Sequence, residues 1–181
     1  MSGNKAKKLF LIRHAQATSA ADDKSRPLSP KGKDDALKAG IFLKDKGYIP
    51  DQIFCSPAKR TQETLEQLNK ALNVQALQFP EILYSGATGD YLDLLQNCDD
   101  TISNIMIIGH NPSIYGLASD LVGGGADSAI QRLSEGYPPA SMSIIECSCE
   151  NWADIQLRKN TLIDFANPLD FNAPSGPSKW M

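Results

Sequence analysis

A junction that recurs along the chain constrains its fold more than any other feature. Leu9-Phe10-Leu11-Ile12 runs straight into Arg13-His14, Gln52-Ile53-Phe54-Cys55 into Ser56-Pro57, and Ile105-Met106-Ile107-Ile108 into Gly109-His110. Short apolar runs of this length read as strands buried on both faces. Each is followed by apolar residues at helical spacing: Ala36, Ala39, Gly40 and Leu43, then Thr61, Leu65, Leu68 and Leu72, then Ile114, Leu117, Ala118 and Leu121. Ser29-Pro30 supplies an N-cap and a first helical residue, Ser56-Pro57 repeats that signal, and Asn111-Pro112 opens the third helix. Gly47, Asn73 and Gly123-Gly124-Gly125 read as helix stops. Strands alternating with helices bury both sheet faces. The expectation is a single α/β domain with a mostly parallel central sheet and helices on both faces.

The weaker segments give further expectations. Residues 74–79 read as a third strand, 80–89 as a loop carrying Glu81, and 90–96 as a short helix. Residues 143–147 and 153–157 read as a terminal hairpin around Glu150-Asn151. The domain is expected to occupy residues 9–165, between a flexible N-terminus at 1–8 and an irregular tail at 166–181 rich in Pro and Gly. There is no internal repeat and no linker.

Composition narrows the function. A chain of 181 residues can bury a full core without disulfides or a structural metal. A net charge of −3 gives no basic field for nucleic acid, so any anion site must be a local pocket. The four cysteines, Cys55, Cys98, Cys147 and Cys149, match neither a zinc framework nor a C-x-x-C redox pair, and read as reduced thiols of a cytoplasmic protein. Two histidines, His14 and His110, are too few for a histidine-rich metal cluster, so neither metal nor cofactor is expected. The basic residues 1–8 lead into an apolar run too short for a signal peptide or a membrane span, so no membrane partner is expected either.

Ligands of open α/β sheets sit beyond the carboxyl ends of the strands. Both histidines fall there, on two different core strands, and can face one pocket. Phosphoryl transfer through an imidazole needs a neutral ring nitrogen as nucleophile, cations for the phosphate oxygens, an acid for the leaving group and a base for water. His14 is the candidate nucleophile, and Arg13 beside it can present a planar fork. Arg60 sits near a helix start, where free N–H groups also favour anions. His110 and Asn111 add donors at the next helix start. Cys55 imitates a cysteine phosphatase only loosely, because Pro57 removes an N–H from the required cradle. A buried thiol is the better reading.

Together these segments resemble a known family. Leu11-Ile12-Arg13-His14-Ala15-Gln16-Ala17, Ser56-Pro57-Ala58-Lys59-Arg60-Thr61-Gln62-Glu63-Thr64 and Gly109-His110-Asn111-Pro112 are similar, in order, to the three motifs of the histidine phosphatase (phosphoglycerate mutase-like) superfamily. Arg26-Pro27-Leu28-Ser29-Pro30-Lys31-Gly32 is similar to a stretch of its short, SixA-like phosphohistidine phosphatase branch. The resemblance implies a metal-independent phosphatase in which His14 is phosphorylated and Arg13, Arg60 and His110 complete the phosphate pocket, with Asn111 a further phosphate-binding candidate from its place at the helix start. Pro80-Glu81-Ile82 resembles the place of the acid in many members, which makes Glu81 the candidate; Gln16 and Arg26 are candidates for the rim. The short interval between the second and third motifs implies an open pocket, suited to phosphohistidine on a protein or to another bulky phosphoester. A sugar phosphate or nucleotide phosphatase, and a non-catalytic module that binds phosphorylated partners, are the alternatives.

Overall fold

Side-chain alternation along two central strands decides the layers. The structure, a computed structural model, describes residues 5–171. Strand β1 (Lys7–Arg13) sends Leu9 and Leu11 to one face and Phe10 and Ile12 to the other. It pairs in parallel with β4 (Asn104–Gly109), whose Ile105 and Ile107 join the first face and Met106 and Ile108 the second. Two apolar faces back to back need two covers. Helices α1 (Pro30–Asp45) and α2 (Lys59–Leu72) cover the Phe10 face through Leu43, Leu65 and Leu68. Helices α4 (Thr88–Gln96), α5 (Ser113–Leu121) and α6 (Asp127–Glu135) cover the Leu9 face through Leu95, Leu117 and Leu133. The expected α/β fold class is therefore the observed one.

The sheet has seven strands in the order β3-β2-β4-β1-β6-β7-β5. Strands β2 (Gln52–Cys55) and β3 (Leu77–Gln78) extend the parallel half. Strand β6 (Met142–Cys147) runs antiparallel to both β1 and β7 (Asn160–Ala166), and β5 (Val122–Gly125) closes the far edge parallel to β7. Among the described strands, only β6 thus opposes the rest. No helix among the described residues is long and apolar enough to cross a membrane.

Several local expectations need correction. The α2 N-cap position is Ala58, without a side-chain cap; Ser56 has its hydroxyl committed elsewhere. The 80–89 loop contains a helical turn, α3 (Ile82–Ser85). The triple glycine is β5 rather than a stop alone: a Cβ on Gly123 would lie 1.9 Å from the Arg158 carbonyl oxygen, so glycine lets this edge approach its neighbour. The hairpin partner of β6 is β7, while residues 152–154 form a 3₁₀ turn anchored by buried Trp152. Strand β1 already includes Lys7 and Lys8, which the sequence placed in the flexible terminus. The tail begins in order, with Ala166 in β7 and α7 (Pro168–Phe171) set against α1 by a Phe171–Phe42 ring contact at 6.0 Å. The remainder of that tail lies outside the described residues.

Candidate active site

The carboxyl ends of β1, β2 and β4 are adjacent, and they deliver His14, Ser56 and His110 to one place. The His14 N–H donates to the Gly109 carbonyl at 3.1 Å and the Ser56 N–H to the Ile108 carbonyl at 3.0 Å, which extends the ladder up to the site. The Ala15 N–H donates to Thr64 Oγ1 at 3.1 Å, and the Thr64 hydroxyl donates to the Arg60 carbonyl at 2.7 Å. The turn after His14 is thus tied to the start of α2. Below His110, the Tyr91 hydroxyl donates to the Leu83 carbonyl at 2.5 Å and receives the His110 N–H at 3.3 Å. A Cβ on Gly109 would stand 2.5 Å from that hydroxyl, so glycine is what admits it.

The two imidazoles lie 5.3 Å apart between ring centroids, and both are buried. His14 Nδ1 is 2.7 Å from the Ala15 carbonyl oxygen. A carbonyl can only accept, so the proton sits on Nδ1 and the lone pair on Nε2. Burial is the main force holding the His14 pKa down to about 3; His110, Arg13 and Arg60 push the same way, and the Ala15 bond opposes them. His110 is lowered to about 4, again chiefly by burial and then by Arg60. Two neutral rings at pH 7 follow. His110 Nε2 lies 2.7 Å from Ser56 Oγ, which accepts the Ala58 N–H at 3.3 Å. Among the described contacts Nε2 is the one acceptor for the buried serine hydroxyl, so the serine donates to it and the His110 proton sits on Nδ1.

Arg13 and Arg60 are each satisfied on one side. Arg13 Nη1 donates to the Tyr137 carbonyl at 2.9 Å, and Arg60 donates through Nη1 to the Asp23 carbonyl at 2.8 Å and through Nη2 to its carboxylate at 3.1 Å. Their Nε atoms, with His110 Nδ1 and Asn111 Oδ1, are buried without hydrogen-bond partners. Such atoms are expensive to leave unpaired. Burial, and then repulsion from Arg60, lowers the pKa of Arg13. Two crowded cations and a ring N–H, all with spare donors, form a cradle for a multiply charged oxyanion. No group of three or more His, Cys, Asp or Glu suited to a metal occurs among the described residues.

The other expected site residues lie around this centre. Asn111 precedes a cis peptide to Pro112, and its Nδ2 donates to the Tyr137 carbonyl at 3.0 Å; it braces the same carbonyl as Arg13 instead of capping α5. Gln16 turns toward the α1 cap, accepting the Ser29 hydroxyl at 2.8 Å, and lines a cavity of about 250 Å³ with Lys31, Pro138 and Pro139. Arg26 braces its own loop, donating to the Thr18 carbonyl at 3.0 Å and to Asp23 at 3.3 Å. Glu81 is 65% exposed and paired with Lys24 at 2.7 Å; the structure does not place it in contact with the histidines. Residues that the sequence reading missed are Asp23, Tyr84, Thr64 and Tyr137. A charged Asp22-Asp23-Lys24 run three residues before Arg26 was the available signal for Asp23, but it also describes any solvated loop.

Comparison with known proteins converges on the same chemistry. The family model for the histidine phosphatase superfamily (branch 1) matches residues 9–83. Phosphohistidine phosphatase SixA of Escherichia coli is 30% identical over 122 residues, covering 64% of this chain and 74% of that protein. An uncharacterised Mycobacterium tuberculosis protein is 29% identical over 161 residues, covering 87% of this chain and 99% of that one. A Nakamurella multipartitia structure bearing the name phosphohistidine phosphatase SixA superposes with a TM-score of 0.77 at 27% identity, over 91% of this chain and 98% of its own. With a family match that includes His14 and Arg60, and a full-length fold match, the chain belongs to the histidine phosphatase superfamily.

Proposed function

We propose that this protein is a metal-independent phosphatase that transfers a phosphoryl group to Nε2 of His14 and then to water, with protein phosphohistidine as its substrate. The observation that carries the reading is the His14 ring itself. Its Nδ1 proton is committed to the Ala15 carbonyl, so Nε2 presents its lone pair beside the unpaired Nε donors of Arg13 and Arg60. Positively charged forks hold the equatorial oxygens while the attacking and leaving atoms stay in line. His110, protonated on Nδ1, donates a further hydrogen bond to the phosphoryl group.

The substrate class follows from what the pocket offers a leaving group. An alkoxide must take a proton as it departs, and that requires a well-placed acid. Both histidines are held neutral, and Glu81 stands at the surface without contact to either of them. A phosphohistidine ring can be protonated by solvent before attack and then leaves as neutral imidazole. The SixA proteins of Escherichia coli and Haemophilus influenzae, each 30% identical to this chain, carry phosphohistidine phosphatase in their names, which supports the same choice. A cytosolic location is part of this reading and rests on the cysteine spacing. The test is to quench a reaction with labelled phosphohistidine peptide under alkaline conditions. Label should remain on the protein, acid-labile and alkali-stable, and His14→Ala should abolish both label and turnover. Full turnover by His14→Ala would falsify the mechanism.

A further inference from the structure

Asp23 is 54% exposed, yet it is held from three directions. Arg60 Nη2 donates to Oδ2 at 3.1 Å, the Tyr84 hydroxyl to the same oxygen at 2.9 Å, and Arg26 Nη1 to Oδ1 at 3.3 Å. The Tyr84 bond, with help from Arg60 and Arg26, keeps the carboxyl pKa down at about 2. So fixed, the carboxylate has no proton to give and cannot serve as a general acid near neutrality. It can accept one. A carboxylate has roughly four acceptor positions, and the long Arg26 bond leaves capacity on Oδ1.

Its placement relative to the pocket gives that capacity a use. One guanidinium, that of Arg60, holds Asp23 with its Nη atoms while its charge acts on both His14 and His110. The Tyr84 ring stands edge-on to His110 at 5.9 Å, and His110 itself feels the Asp23 charge. Asp23 is therefore beside the phosphate cradle, on its solvent side. In-line displacement puts the leaving group opposite His14, which is the solvent side of the phosphorus. Asp23, half exposed and bonded to both Arg60 and Tyr84, stands within reach of a group leaving on that side.

We propose that Asp23 determines specificity for the leaving group: its carboxylate accepts the distal ring N–H of a protonated phosphohistidine and so favours an imidazole leaving group over an alkoxide. The inference rests on the phosphatase reading above and deepens it. In the step, the His14 Nε2 lone pair forms a new N–P bond as the substrate N–P bond breaks. The electrons of the broken bond return to the substrate ring nitrogen, and the ring leaves neutral, with its distal proton still bound toward Asp23. Water then attacks phosphorus, the His14 N–P bond breaks, and inorganic phosphate departs. An opposite charge at hydrogen-bonding distance raises the pKa of such a ring by about 1–3 units, which enlarges the reactive fraction of bound substrate.

The experiment compares kcat/KM on a phosphohistidine peptide and on p-nitrophenyl phosphate, whose nitrophenolate leaves without a proton. In Asp23→Asn the ratio of the first to the second should fall about tenfold or more, the equivalent of one pKa unit. An equal loss on both substrates, or no loss, overturns the proposal and leaves Asp23 as a brace for Arg60. A second measurement needs no variant. The dephosphorylated histidine peptide should inhibit the wild-type protein at concentrations about tenfold lower than the same peptide with phenylalanine in place of histidine. Equal inhibition overturns the proposal as well. Loss of the phospho-His14 trap in the wild type would instead count against the parent phosphatase reading, and it is seen in a separate assay.

Discussion

Ser56 Oγ lies 2.7 Å from Nε2 of His110, and this contact sets which face of the imidazole carries a proton. The hydroxyl is fully buried and accepts the Ala58 N–H; among the described contacts Nε2 is the one acceptor for its hydrogen, which therefore points to the ring. Ser56→Ala removes the hydroxyl that donates to Nε2 and so keeps the His110 proton on Nδ1. The expected result is about a tenfold fall in kcat/KM, the kinetic equivalent of one lost buried hydrogen bond, with weaker inhibition by vanadate. Unchanged vanadate affinity in a folded Ser56→Ala protein would show that the tautomer is set elsewhere.

Folding stability should fall as pH drops below neutral, and the two histidines are the cause. Their folded pKa values, about 3 for His14 and about 4 for His110, lie below the ordinary value of 6.5. Between those limits the unfolded chain binds more protons than the folded one, so stability decreases with falling pH. The loss begins near 6.5 and levels off near the folded values. From pH 7 to pH 5 it amounts to about 2 kcal/mol per histidine, following from shifts of this size. Asp23, lowered to about 2, contributes in a separate window: its share is present above the ordinary carboxylate value and is lost only as pH falls below 4 toward 2. Urea denaturation of wild type and His110→Asn at pH 7 and pH 5 checks the assignment. The variant should lose about half as much stability over that interval. An identical loss in the two proteins would mean His110 is not depressed.

Arg60 offers a geometric test of how phosphate is held. Its fork binds Asp23 with Nη1 and Nη2 while its buried Nε is left unpaired, an arrangement that a lysine ammonium cannot reproduce. Arg60→Ala should lower kcat/KM by about 10²-fold or more, as for other transition-state donors, and Arg60→Lys should recover little of it. Near-normal kinetics in Arg60→Lys would reduce the role of Arg60 to charge alone.

On the proposed reading, in which Arg13, Arg60 and His110 supply the donors, turnover should be indifferent to divalent cations. Prolonged treatment with a chelator should leave kcat unchanged within error. Activity that disappears with chelator and returns with a divalent ion would remove the metal-independent mechanism.

How much of this was legible in the sequence depended on the kind of interaction involved. The strands of the Leu9 and Ile105 runs and the Ser29–Pro30 helix start are local signals, and each appears within a few residues of its expected bounds. His14, Arg13, Arg60 and His110 were legible because strand ends and helix starts bring them together by topology. What failed was partner choice. Strand β6 finds β7 across a long connection, and nothing in residues 153–157 distinguished a strand from a turn around Trp152. The Ala129, Ile130 and Leu133 stripe of α6 is, by contrast, a helical pattern visible in the sequence itself. Asp23 and Ser56 have roles fixed by side chains from distant elements, Arg60, Tyr84 and His110, so local pattern could not assign them.

Glu81 remains the sharpest point at which sequence resemblance and geometry pull apart. The resemblance marks it as the acid; the structure holds its carboxylate on Lys24 at the surface. An exposed pair of this kind contributes roughly 0–1 kcal/mol, so the pairing would not prevent Glu81 from swinging toward a bound substrate. Kinetics separates the two roles, because an acid matters in proportion to how badly the leaving group needs a proton. With Glu81 at the surface, Glu81→Gln should change kcat/KM by less than about twofold on a phosphohistidine peptide, on p-nitrophenyl phosphate and on a phosphoserine peptide alike, within the range of surface substitutions. A selective loss of about 10²-fold on phosphoserine, with the other two unaffected, would return the acid role to Glu81, since that is the scale of a general-acid contribution. The wild-type protein should in either case prefer phosphohistidine over phosphoserine. A preference for a sugar phosphate or nucleotide would change the substrate class while leaving His14 as the nucleophile.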